Sequence, residues 1–183
     1  MLLATPTLEE VRASLLSIPS DSAPGCDGFT LCFFLTSWEI IKEDLYGATK
    51  EFFNGAPLPQ SYMTSFITLI PKVEKPEGLN DYRPISLCFV VYKIFTKIIA
   101  SRLSSILPKL ISGNQGAYVS GKDISETITL AQEMVGEHGK KTRGSNVMIK
   151  IDMSKAYDRM DWKFLRAVVL RFGFCKRWVA LIA

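Results

Sequence analysis

The chain has 183 residues, 48% hydrophobic and 22% charged, enough to bury a core in one domain or in part of a larger one. Its first residues, MLLATPTL, lack the basic lead and apolar core of a signal peptide, and no apolar run reaches bilayer length, so nothing points to secretion or a membrane. Residues 1–60 hold 3 Lys/Arg against 8 Asp/Glu and residues 61–183 hold 19 against 10, a net −5 followed by +9.

Thr7 and Glu10 form a T-x-x-E pattern ahead of Leu8, Val11, Leu15 and Ile18, which predicts a capped amphipathic helix. APGCDGF (23–29) reads as a Pro/Gly turn segment. Thr36 with Glu39 repeats the capping pattern and opens a second helix carrying Trp38, Ile41, Leu45, Ala48 and Phe52, closed by Asn54-Gly55. Both stripes read as core. APLPQS (56–61) is a loop into the strand candidate SFITLIP (65–71), and VEKPEGLNDYRP (73–84) is a polar, turn-rich connection suited to a hairpin.

From Val91, the series Phe95, Ile98, Ile99, Leu103 and Ile106 is helical and stops before Pro108, which predicts about four turns with Lys93, Lys97 and Arg102 on or beside the polar edge. A further helix follows Asp123, with Glu126 completing a cap-like pair and Ile124, Ile128, Ala131 and Val135 on one face. GEHGKKTRGSN (136–146) reads as an exposed basic loop. The four cysteines (Cys26, Cys32, Cys88, Cys175) and His138 show no C-x-x-C or H-x-E spacing, so the sequence predicts reduced, buried thiols rather than a zinc site or a disulfide framework.

VMIKIDMSKAYDRMDW (147–162) begins as a strand pattern. Val147, Ile149 and Ile151 fall on one face and Met148, Lys150 and Asp152 on the other, which places Asp152 at a strand's C-terminal end, where open α/β sheets bind ligands. Asp residues at strand ends also cap turns, so position alone leaves Asp152 structural or functional. Asp158 follows on a turn or first helical residues, and Asp161 is placed to cap a helix holding Trp162, Leu165, Val169 and Phe172 before Gly173. The basic later part suits a polyanion, because Lys and Arg that neutralise phosphates release counterions, although charge alone favours the plainer reading of a solvated basic surface.

The series LIPKVEKPEGLNDYRPISLCFVVYKIFTKIIASRL, NQGAYVSGKDI and IKIDMSKAYDRMDW, in that order and spacing, resembles the reverse transcriptase domain of LINE-type non-LTR retrotransposons, particularly those of plants. The resemblance spans nearly the whole chain, with APGCDGF similar to the segment leading into that domain. It implies an α+β fold, mostly helical with short strands: a partial right-hand polymerase, with residues 1–60 a helical lead-in, 61–145 the fingers and 146–183 the start of the palm. The implied activity is RNA-directed DNA polymerisation with Mg²⁺, or Mn²⁺ in its place, on an RNA template, a DNA primer and dNTPs. Two ions held by carboxylates would activate the primer hydroxyl and neutralise the leaving pyrophosphate.

By the same resemblance Asp152 is the first metal-holding aspartate, helped by the backbone carbonyl of Met153. Tyr157 packs under the incoming sugar, where the family more often has Phe. Lys72 and Arg83 grip the triphosphate, the first as a compact charge and the second as a planar fork. Gln115, Gly116 and Gly121 lie against the template, where small residues permit close backbone approach. Asp158 is expected to accept hydrogen bonds at a helix start rather than to hold metal. The family's aromatic-x-Asp-Asp hairpin has no counterpart among these residues, and the chain stops at WVALIA within a helical pattern. The expectation is therefore a fragment, inactive alone, of a longer polymerase; the alternative is a degenerate copy that at most binds nucleic acid.

Overall fold

Short polar side chains start several of the helices, and a glycine closes two of them. The computed structural model describes residues 2–115, 118–137, 149–153, 155–156 and 158–182. Thr7 opens α1 (Leu8–Leu16) by accepting the Glu10 N–H at 3.2 Å, as the T-x-x-E pattern predicts, and the helix buries Val11, Ser14 and Leu15. Thr30 caps α2 (Leu31–Thr36) in the same way through the Phe33 N–H.

The second T-x-x-E pattern does not form a cap. Thr36 is the last residue of α2, and its hydroxyl donates back to the Cys32 and Phe33 carbonyls, so α3 (Trp38–Phe53) starts from Ser37 without a side-chain cap. Glu39 pairs with Lys42 instead. The buried stripe of α3 is Trp38, Leu45, Thr49 and Phe53, one residue round from the expected Ala48 and Phe52. Thr49 can enter the core because its hydroxyl donates to the Leu45 carbonyl at 2.7 Å. Phe52 stays half-buried and stacks on Phe95 of a later helix, with centroids 4.7 Å apart and planes 8° from parallel. At the C-terminus Gly55 (φ +94°) donates to Phe52 and Ala56 to Glu51, a Schellman closure.

SFITLIP forms β1 (Phe66–Pro71), which pairs antiparallel with β2 (Tyr82–Leu87) from Phe66 opposite Leu87 to Pro71 opposite Tyr82. This two-stranded sheet is the one sheet among the described residues. α4 (Val90–Ser104) runs the expected four turns and buries Val90, Ile94, Phe95 and Ile98, each side chain contributing ~1.5–3 kcal/mol. Two of its expected solvent-edge lysines hold the chain after α1: Lys93 donates to Ser22 Oγ (2.8 Å) and the Ala23 carbonyl (2.7 Å), and Lys97 to the Ser17 carbonyl. Arg102, also expected at the polar edge, is buried.

The chain divides into two units, Met1–Ser101 and Arg102–Ala183. The first contains α1, α2, α3, the hairpin and α4 up to Ser101. The second contains α5 (Leu107–Leu110), α6 (Ile124–Glu137), α7 (Trp162–Arg171) and α8 (Lys176–Ile182), with α7 and α8 packed together. Asp123 receives the Ser125 N–H at the start of α6, and Asp161 receives the Lys163 N–H at the start of α7. Gly173 (φ +90°) closes α7 as expected. The four cysteines are free, but Cys32 and Cys175 are exposed and the other two half-buried; Cys32, for example, lies on α2 between the buried Leu31 and Phe34 and turns outward.

Candidate functional site

The hairpin positions the first pair of candidate side chains. Lys72 directly follows β1, and Arg83 stands in β2 opposite Ile70. The connecting loop is organised by Asp81, whose carboxylate accepts the Glu77 N–H at 2.9 Å and the Gly78 N–H at 3.1 Å. Those backbone bonds, Glu77 first, hold the Asp81 carboxyl below its ordinary range, with a smaller contribution from the Lys72 charge. Lys72 answers from the other side: its N–H donates to the Asp81 carbonyl and its ammonium to the Asn80 carbonyl, both at 2.7 Å. The hairpin thus brings Lys72 and Arg83 to one end of a small sheet, both exposed, with Lys72 steadied by the loop backbone. Sequence reasoning missed Asp81, although an Asp three residues after a glycine in a polar loop is a recognisable turn signal.

The segment Ser112–Asp123 holds the candidate template residues. Gly121 has φ +79° at the third position of a turn closed by the Lys122 N–H on the Val119 carbonyl, the geometry of a type II turn that favours glycine. Lys122 then donates to the Gly113 carbonyl at 3.0 Å and draws the two ends of the segment together. A Cβ at Gly121 would meet nothing within 4 Å, so its own φ is the local reason for glycine. Gln115 is exposed and donates its N–H to Ser112. Gly116 lies outside the described residues, as do Tyr157 and the first part of the expected strand, Val147 and Met148.

Ile149–Met153 differs from expectation. These residues form neither strand nor helix, and Asp152 therefore ends no strand. Ile149 and Ile151, expected to share one face of that strand, are 76% and 83% exposed. Alternation fixes which side chains share a face, but a strand exists only with a ladder partner, and these residues have none among those described. Asp152 and Met153 are exposed. Asp158 sits in a turn, and the helix-start acceptor is Asp161, bound to the Lys163 N–H at 2.7 Å. Of the three aspartates, Asp161 is thus tied to a capping role.

Lys72 and Arg83 belong to the first unit; Gln115, Gly121, Asp152 and Met153 belong to the second. Among the described residues no group of three His, Cys, Asp or Glu side chains stands close enough to hold a metal ion. Asp152 and the Met153 carbonyl would fill only part of the octahedral oxygen shell that magnesium takes. No helix among the described residues is long and apolar enough to cross a membrane.

A family profile described as reverse transcriptase (RNA-dependent DNA polymerase) matches residues 70–182, more than half of the chain, from the end of β1 through α8. The chain belongs to the reverse transcriptase family. Over 181 residues it is 30% identical to the transposon TX1 uncharacterized 149 kDa protein of Xenopus laevis, which covers 98% of this chain and 14% of that protein. It is 27% identical over 140 residues to the retrovirus-related Pol polyprotein from type-1 retrotransposable element R2 of Nasonia vitripennis, covering 76% of this chain and 13% of the other. The third relative, the probable RNA-directed DNA polymerase from transposon BS of Drosophila melanogaster, is 27% identical over 159 residues, 84% of this chain and 17% of its own. These relatives bear out the LINE-type, non-LTR reverse transcriptase resemblance of the motif series, and this reverse transcriptase chain spans about a seventh of their length. The family works with divalent metal ions on nucleic acid.

Proposed function

We propose that the chain supplies the fingers, over about residues 61–145, and the beginning of the palm, over 146–183, of an RNA-directed DNA polymerase from a non-LTR retrotransposon. The observation that carries this reading is the pair of exposed cations at one end of the β1–β2 hairpin, inside the span that matches the family. Arg83 offers two parallel N–H donors to phosphate oxygens, and Lys72 a compact charge whose position the loop backbone already restricts. Together they grip the triphosphate of an incoming dNTP.

In this reading Asp152 and the Met153 carbonyl contribute oxygens to a Mg²⁺ or Mn²⁺ site, Tyr157 packs under the sugar, and Gln115, Gly116 and Gly121 lie along the RNA template. Such a site would need further oxygen ligands, since no three His, Cys, Asp or Glu side chains stand together among the described residues. What this chain contributes is charge and position: exposed cations for phosphates, and a segment folded on itself by Lys122. The test is dNTP binding to the purified chain with Arg83→Ala and Arg83→Lys. Arg83→Ala should weaken binding about tenfold or more, with partial recovery in Arg83→Lys, since a bidentate contact to a charged group contributes ~1.5–3 kcal/mol. Equal affinity in all three proteins would remove Arg83 from the nucleotide site.

A further inference from the structure

Within the first unit, an apolar cleft of about 770 Å³ opens beside α3, and a second of about 230 Å³ adjoins it, sharing Ala48, Tyr62 and Val91. The floor is aromatic and aliphatic, with Phe34 and Leu45 buried in it. The rim leaves large apolar surface in water: Phe29 is 46% exposed, Phe33 39% and Tyr62 40%. Phe29 and Phe33 lie 4.5 Å apart, and Tyr62 and Phe89 5.7 Å, so two ring pairs line this one groove.

Its charge has a single sign. Asp27 and Asp44 line the larger cleft and Glu51 the smaller, and no Lys, Arg or His lines either. The carboxylates of Asp44 and Glu51 have no ion-pair partner among the described residues. Asp27 accepts the Phe29 N–H at 3.2 Å, which fixes its place on the rim. The surrounding residues 1–60 carry a net −5, so this face repels the phosphate backbone that the basic later part of the chain attracts.

We propose that this groove is a docking site for a basic amphipathic helix of a partner protein. A helix laid in an apolar groove presents anchors at i, i+3, i+4 and i+7, and two adjoining apolar clefts suit such a row better than a compact ligand. Phe29, Phe33 and Tyr62 receive the apolar face. Asp27, Asp44 and Glu51 receive Lys or Arg on the flanks, which adds encounter rate and selects against acidic helices. This surface is distinct from the hairpin end, and its role is independent of the polymerase reading.

The test uses the full 183-residue chain and a fluorescein-labelled amphipathic helical peptide of about four turns, with Leu and Trp on one face and Lys and Arg on its flanks, read by anisotropy. Saturable binding is expected with a Kd on the order of 10 µM that weakens as salt rises. Asp44→Lys with Glu51→Lys, both at exposed positions, should weaken binding about tenfold while the far-UV circular dichroism stays unchanged. The same peptide with Glu in place of its cations should bind the parent poorly and the charge-reversed variant better. No saturation, equal affinity for the acidic peptide, or an unchanged Kd in the charge-reversed variant would each overturn the proposal. So would displacement of the peptide by a small alkylammonium of equal affinity, or a concentration-dependent dimer abolished by the same substitutions, which would make the occupant a small amphiphile or a second copy.

Discussion

The backbone of Phe89 lies against Gly25 so closely that a Cβ on Gly25 would come within 2.7 Å of the Phe89 nitrogen and 2.8 Å of its Cα. This contact joins the APGCDGF turn to the entry of α4, which the Lys93 bonds to Ser22 and Ala23 hold from the same side. Gly25→Ala is therefore expected to destabilise the fold by ~1–3 kcal/mol through forced backbone displacement. Urea denaturation checks this. Gly47→Ala serves as the control, because a Cβ there meets nothing within 4 Å and the substitution favours the α3 helix.

Asp81 should titrate below its ordinary 3.8 in the folded chain, since both of its backbone bonds favour the charged form. A depressed folded value means that its stabilising effect is full above 3.8 and is lost as pH falls through the lower folded value. NMR titration of the Asp81 carboxyl should give that low midpoint, and the Glu77 and Gly78 amides should lose exchange protection in the same acid range. Because neutral N–H donors dominate, the midpoint should respond little to salt. A midpoint at or above 3.8 would contradict the loop geometry.

Asp161 and Asp152 should behave oppositely on substitution. Asp161→Ala removes the acceptor of the Lys163 N–H and is expected to cost about 1 kcal/mol in thermal or urea unfolding. Asp152→Ala, at an exposed position outside helix and strand, should change stability by less than about 0.5 kcal/mol. A large loss of stability at Asp152 would show a structural role for it.

RNA–DNA hybrid binding should fall steeply with salt, driven by the +9 carried by residues 61–183. If Arg83 meets a phosphate, Arg83→Ala should lower the slope of log K against log salt by about 1. Affinity that is flat from low to high salt would rule out this mode of binding.

The 183-residue chain is expected to give no primer extension on an RNA template with Mg²⁺ or Mn²⁺. Its sequence contains no Asp-Asp pair, and the described residues offer no three-ligand cluster. Nucleotide binding through Lys72 and Arg83, as proposed, would lower no barrier unless a contact strengthened in the transition state. Extension that disappears in Asp152→Ala would show that the donors present suffice.

Local signals in the sequence carried over well where the deciding contact is local. Thr7 with Glu10, Gly55, and Asp161 with Gly173 each act within one turn of chain, and the alternation in SFITLIP faces a partner only a loop away. Thr36 misleads because a threonine followed by glutamate can end one helix as readily as begin another, and the choice rests on α2, whose LCFFLT has no strong periodicity. Arg102 reads as solvent edge because a long polar side chain gives no sign in sequence of what covers it. The family motifs led to Lys72, Arg83 and Asp152, but which faces meet depends on nonlocal pairing. That is why IKID reads as a strand and yet is none among the described residues.

The hairpin register has one more consequence. The Lys72 N–H bond to Asp81 makes that opposed pair a hydrogen-bonded one, so by alternation Ile70 with Arg83 is hydrogen-bonded, while Leu69 with Pro84 and Pro71 with Tyr82 are not. The nitrogens of Pro71 and Pro84 consequently face away from the partner strand, one on each outer edge. Ile67, Leu69, Ile70 and Ile85 leave much apolar surface in water, which would make a two-stranded ribbon a ready template for fibrillar growth. Each edge instead presents a position with no donor, so an added strand meets a broken ladder on either side, and the prolines act as built-in guards against aggregation.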